Sequence, residues 1–178
     1  TGQWVLERCL IEQLPPNVVA SDGTIEQLDT LIAAVRRIVK KSESRTKQVV
    51  AALPASAVIA KKVILPEGLG EDEMDAQIES EASQYIPFAL EEVSIDYYVM
   101  GASATSVGDA DVMIVAARKD RVGDMQALMS EAGMHLKVLD VASYAAQSAA
   151  ERIIENLPNA GKDAIIALVH VGASSIYV

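Results

Sequence analysis

The chain has 178 residues, 51% of them apolar, with 15 basic against 25 acidic side chains and a formal charge of −10. A chain of this length and apolar content buries a core as one domain or two small packed units. Its acidic balance repels nucleic-acid phosphates and anionic lipid headgroups, so nucleic acid is excluded as the expected partner.

Aromatic residues are few while Ala, Val and Ile are plentiful, the mix of sheets covered by closely packed helices. Cys9 stands alone and supports neither an internal disulfide nor a thiolate metal cage. It alternates with apolar residues and is expected as a buried small hydrophobe. No run reaches the roughly 18 uncharged apolar residues of a membrane-spanning helix. With no initiator Met at the start and an apolar run at the end, the sequence reads as part of a longer chain.

In chain order, residues 4–14 alternate as a strand that stops at Pro15 and Pro16. Thr24 opens a helix with Gln27 as its capping-box partner. Ile25, Leu28, Leu31, Ile32, Val35, Ile38 and Val39 share one face of that helix. Arg36, Arg37, Lys40 and Lys41 at its end form either an anion site or a solvated helix end favoured by the dipole. Residues 48–53 and 58–65 are short buried strands. Met74, Ile78, Ala82, Tyr85 and Ile86 mark the next helix, which Pro87 ends. Its Glu71, Asp72, Glu73, Asp75, Glu79 and Glu81 lack the loop spacing of a calcium site and read as a solvated face.

Val93, Ile95, Tyr97 and Val99 alternate with polar or larger neighbours as a half-buried strand, and a Gly, Ser and Thr turn leads to a second over 112–117, predicting an antiparallel pair. Asp120 caps a helix striped by Val122, Met125, Leu128, Met129 and Ala132 and ended by Gly133. Residues 136–141 predict a strand, 142–154 an alanine-rich helix, 164–171 a strand, and Gly172 and Ala173 a turn into a strand begun by Ile176. The resulting organisation is 1–57, an inserted strand-helix-strand-strand unit at 58–118, a continuation at 119–159, and the start of a further lobe at 160–178.

The sequence contains no zinc spacing, no GxSxG, no Walker loop and no GxGxxG, and so no complete catalytic set. Two places bear on function. His170, Gly172, Ala173, Ser174 and Ser175 end a strand in a glycine turn with hydroxyls, the composition of a phosphate cradle and equally of an ordinary hairpin. Tyr85, Ile86, Pro87 and Phe88 crowd the end of the acidic helix, where they either seal the inserted unit or floor a groove for an apolar peptide.

At these residues the chain resembles the PilM family of type IV pilus assembly. The likeness is carried by LGEDEMDAQIESEA at 69–82, QYIPF at 84–88 and LEEV at 90–93, and extends through 111–118 and 136–144. It implies an α/β fold of the actin-like, ribonuclease H-like kind: a first lobe with the inserted subdomain, cut before the second lobe is complete. It further implies that the helix from Ala142 connects the lobes and that the hairpin at His170, Gly172, Ala173, Ser174 and Ser175 is a phosphate clasp for ATP with Mg.

The same resemblance implies a cytoplasmic protein held at the inner membrane through its partner, the amino-terminal cytoplasmic tail of PilN, received by Tyr85, Ile86, Pro87 and Phe88. Other pilus assembly proteins and a homo-oligomer or ring are further implied partners. One departure stands out: the family typically has Asp where this chain has His170, and an imidazole cannot supply that charge toward Mg²⁺. The expectation is therefore a scaffold for pilus biogenesis and twitching motility with no catalytic residues and no efficient turnover. The alternatives are a relative in type II secretion or cell division, and a phosphotransferase or ATPase of the same fold.

Overall fold

The structure, a computed structural model, describes residues 5–162, 164–172 and 176–177. The chain forms two compact units, one of Thr1–Pro54 with Asp124–Val178 and the other of Ala55–Gly123.

In the first unit, residues 5–15 carry no helix or strand, and Cys9 is exposed. The strand expected over 4–14 therefore does not form in its described part, nor is the cysteine buried. Alternation supplies a strand only where another edge completes the ladder, and no described strand pairs with this segment. Side chains hold it instead: Glu12 accepts from Arg37 Nε at 2.7 Å and Lys41 Nζ at 2.6 Å, and Arg8 Nη1 from its own side donates to Glu43 at 3.1 Å.

Helix α1, Leu28–Ser42, has Gln27 at its N-cap and so begins three residues later than its pattern predicts. The N–H groups of Glu26 and Gln27 are bound by the Val18 carbonyl, and Gln27 Nε2 donates to the Asn17 carbonyl. Thr24 binds Asp22 rather than capping a helix. These turn contacts occupy the donors that an earlier first helical turn would leave for a cap. Arg36 also donates to the Glu131 carbonyl, so the basic end of α1 is largely engaged within the protein.

Strand β1, Gln48–Leu53, runs parallel to the strand at His135–Val141 with a register shift between Val49 and Val50. The second unit lies between them in sequence. It contains β2 at Val58–Pro66, α2 at Glu71–Tyr85, β3 at Val93–Ala102 and β4 at Asp109–Arg118, in the antiparallel order β2-β4-β3. Period-two alternation puts Val63, Leu65, Val112 and Ile114 on the face covered by Met74 and Ile78 of α2. Helix α3, Lys119–Glu131, leads to β5, the His135–Val141 strand, and then to α4, Ala142–Ile154, which lies against β1 and β5.

The strand expected over 164–171 is reduced to β6, His170–Val171, which pairs antiparallel with β7, Ile176–Tyr177. Among the described residues the ladder has those two residue pairs, and 165–169 are exposed and irregular. Among the described residues no helix is long and apolar enough to cross a membrane.

Candidate functional site

Proline decides the geometry at the end of α2. Pro87 has no N–H and disfavours helical geometry in the residue before it. Ile86 accordingly adopts extended backbone (φ −89°, ψ 118°) while its N–H still reaches the Ala82 carbonyl at 2.9 Å. Its side chain turns inward, 7% exposed, beside Ala82, Val93 and Ala116. Tyr85, Pro87 and Phe88 are left outside. Of the four residues singled out from the sequence, one seals the core and three form an exposed apolar corner.

Both exposed rings are covered by cations. Lys61 Nζ lies 4.6 Å from the Tyr85 ring centroid and the Arg118 guanidinium carbon 5.3 Å from that of Phe88, within cation–π range. Arg118 is itself held by Asp120, with Nε at 3.0 Å and Nη2 at 2.6 Å from one carboxylate oxygen. That pairing holds the Asp120 carboxyl below the usual range and the Arg118 guanidinium above its own. Beside Phe88 a cavity of about 150 Å³ opens, with Ile59, Val93 and Ala116 among its walls and Arg118 and Arg121 also lining it.

These cations went unread in the sequence, although one signal was present. Lys61 occupies the parity of β2 that carries Val63 and Leu65 inward, and a lysine interrupting an apolar face marks a place where something specific meets it. Arg118 left no such sign, being the last residue of its strand.

The carboxylates of α2 are exposed apart from the half-exposed Glu81. Two have structural partners: Glu73 accepts from the Gly70 N–H at 3.1 Å, and Asp75 from the Tyr97 hydroxyl at 3.1 Å. Burial first, and then that hydrogen bond, raise the Tyr97 hydroxyl above its ordinary pKa. Among the described residues no cluster of three His, Cys, Asp or Glu side chains is arranged to hold a metal.

At the other predicted place, His170 is exposed, its backbone paired with Tyr177, and Gly172 is half-buried after the short strand. Ala173, Ser174 and Ser175 lie outside the described residues.

Element order and sheet topology define a mixed α/β lobe of the PilM type. It is similar, with a TM-score of 0.71 and 27% identity, to a chain of the PilM–PilN type IV pilus biogenesis complex, over 81% of this chain and 43% of that one. The cytoplasmic domain of EpsL, an inner membrane component of the type II secretion system of Vibrio cholerae, is similar at 22% identity and a TM-score of 0.44, over 61% of this chain and 42% of that one. The description of the type IV pilus assembly protein PilM matches residues 1–178, and the chain belongs to that family. The resemblance read from residues 69–93 is borne out, while the chain spans less than half the length of the PilM–PilN chain it matches.

Proposed function

We propose that this chain is the partner-docking part of a cytoplasmic, actin-like scaffold of type IV pilus assembly, and that Tyr85, Pro87 and Phe88 receive the amino-terminal cytoplasmic tail of PilN. The observation that carries this reading is the likeness to a chain of a complex that contains PilN. The exposed corner at the end of α2 supports it, because rings held in place by cations offer apolar contact area at little entropic cost. Ile86 acts from the core and fixes the turn that presents its neighbours. Through PilN the protein is held at the inner membrane, where it serves pilus biogenesis and twitching motility alone or as a ring with other pilus proteins.

In the same reading the whole protein binds ATP with Mg. The backbone N–H groups and hydroxyls of Gly172, Ala173, Ser174 and Ser175 suit phosphate oxygens, whereas His170 offers Mg²⁺ no hard oxygen. The chain's own residues thus fit phosphate better than metal, and no hydrolytic step is assigned to them.

Phe88→Glu tests the docking surface. Capture of a PilN-tail peptide is lost while the circular dichroism spectrum stays unchanged; undiminished capture overturns the reading.

A further inference from the structure

We propose that the end of the first unit where α1 stops and β1 and β5 begin is a docking surface for an anionic phospholipid bilayer. The inference rests on the charge of that end and is independent of docking beside Phe88. Residues 36–47 carry six basic side chains, Arg36, Arg37, Lys40, Lys41, Arg45 and Lys47, against one acid, Glu43, in a chain of formal charge −10. The overall charge repels acidic lipid, and this end reverses it locally. Backbone contacts gather the end: the His135 N–H donates to the Lys47 carbonyl at 2.7 Å, Gln48 stands opposite His135 in the parallel pair, and Arg36 Nε donates to the Glu131 carbonyl at 3.0 Å. Lys137 joins it at the register shift between β1 and β5, where it has no opposing residue in β1.

Part of this charge is satisfied within the unit. Glu12 holds Arg37 and Lys41, Glu43 holds Arg8, and Arg36 comes within 4.0 Å of Glu131. Those three carboxylates are thereby matched, whereas Lys40, Arg45, Lys47 and Lys137 are exposed and have no ion pair or side-chain hydrogen bond among the described residues. Their setting selects the ligand. Residues 36–47 expose no large apolar side chain, Ile38 and Val39 being half-buried. The centre of a protein interface is apolar and depleted of lysine, while a bilayer surface attracts clusters of Lys and Arg by charge. Cations spread over a helix end, a loop and a strand start therefore suit a layer of phosphate headgroups.

The test is co-sedimentation of the protein, without PilN, with vesicles of phosphatidylcholine alone or of equal parts phosphatidylcholine and phosphatidylglycerol. The protein sediments with the mixed vesicles at low salt and leaves them as ionic strength rises. Each free cation strengthens partitioning about fivefold, so the triple variant Lys40→Gln, Arg45→Gln, Lys47→Gln binds roughly 100-fold more weakly. A second triple variant, Lys119→Gln, Arg152→Gln, Lys162→Gln, removes the same net charge from exposed positions elsewhere and keeps the original partitioning. The exchange of lipid reads the same surface in the unaltered protein should the first variant fail to fold.

Equal sedimentation with the two kinds of vesicle, or none with either, overturns the surface. So does an equal loss in the two triple variants, which would make net charge the cause. Capture of a soluble poly-glutamate peptide without binding of vesicles also overturns the bilayer and gives the patch to an acidic protein. The PilN reading stands or falls separately: the Lys40, Arg45 and Lys47 variant loses the vesicles and keeps capture of the PilN-tail peptide, and Phe88→Glu does the reverse. Vesicle binding by a protein that ignores the PilN peptide upholds the bilayer surface and overturns only PilN.

Discussion

The two units of this chain satisfy their hydrophobic residues differently. In Ala55–Gly123, three antiparallel strands need cover on one face only, and α2 provides it. The result is two sets of mutually packed residues, with Val63, Leu65, Met74, Ile78, Val112 and Ile114 in one and Ala82, Ile86, Val93 and Ala116 in the other. The other unit is built on two parallel strands, a sheet type normally buried on both faces. Its buried side chains, Val18, Ile32, Ala34, Leu53, Leu128, Met134 and Val141, are spread thinly, while Val50, Val138, Ile153 and the apolar residues of 5–11 and 165–171 are exposed. A local antiparallel motif closes its own core; a parallel pair leaves faces that other elements must cover.

Three experiments probe that contrast, taken from the largest expected effect downward. Ile78→Ala in α2, where the side chain is 3% exposed, lowers unfolding stability by about 3 kcal/mol. Val138→Ala in β5, where the side chain is 51% exposed, changes it by less than about 0.5 kcal/mol. Urea titration of both variants measures the difference, and equal losses would erase the distinction between the units.

Gly23→Ala is expected to destabilise the first unit by about 1–3 kcal/mol. Gly23 has φ +84°, and an added Cβ would run into the Pro54 ring. Adding Pro54→Ala removes the collision and leaves the backbone strain, so the double variant recovers part of the loss. A double variant no better than the single one would refute the contact as the cause.

The smallest effect is electrostatic and depends on pH. Hydrogen bonds from Lys41 and then Arg37 hold the Glu12 carboxyl below its ordinary pKa of 4.5. A carboxyl depressed in the folded state stabilises it above the ordinary value and loses that contribution as pH falls through the lowered one. Glu12→Gln therefore flattens the acid limb of stability for the 5–15 segment, read as hydrogen exchange of its amides between neutral pH and pH 3. An unaltered acid limb would show that the pair does not anchor that segment. Asp111 in the second unit, lowered chiefly by its hydrogen bond from Lys62, is the internal comparison and keeps its own dependence in that variant.

Much of the second unit was legible beforehand. The Met74, Ile78, Ala82 stripe and the alternation of Val93, Ile95 and Tyr97 are local periodicities, and a helix or strand that buries one face must show them. Pro87 likewise ends α2 by its covalent structure. The first unit was less legible because its misread elements depend on neighbours distant in sequence. Residues 4–14 and 164–171 have strand composition, yet a ladder requires an opposing edge, and composition does not say whether one is there. The late start of α1 follows from competition for its donors by Val18 and Asn17, which residue preference at Thr24 could not report.

For the candidate site, the four residues from Tyr85 to Phe88 were named from sequence by composition and likeness. Their division into one core residue and three exposed ones, the cations over both rings and the cavity beside Phe88 came only with tertiary structure. Lys61 meets Tyr85 across 24 residues of chain and Arg118 meets Phe88 across 30. Local periodicity by itself determined which faces turn inward. What rests on those faces was decided by the folding of β2 and β4 against α2, because contacts between distant side chains exist only once the sheet has brought them together.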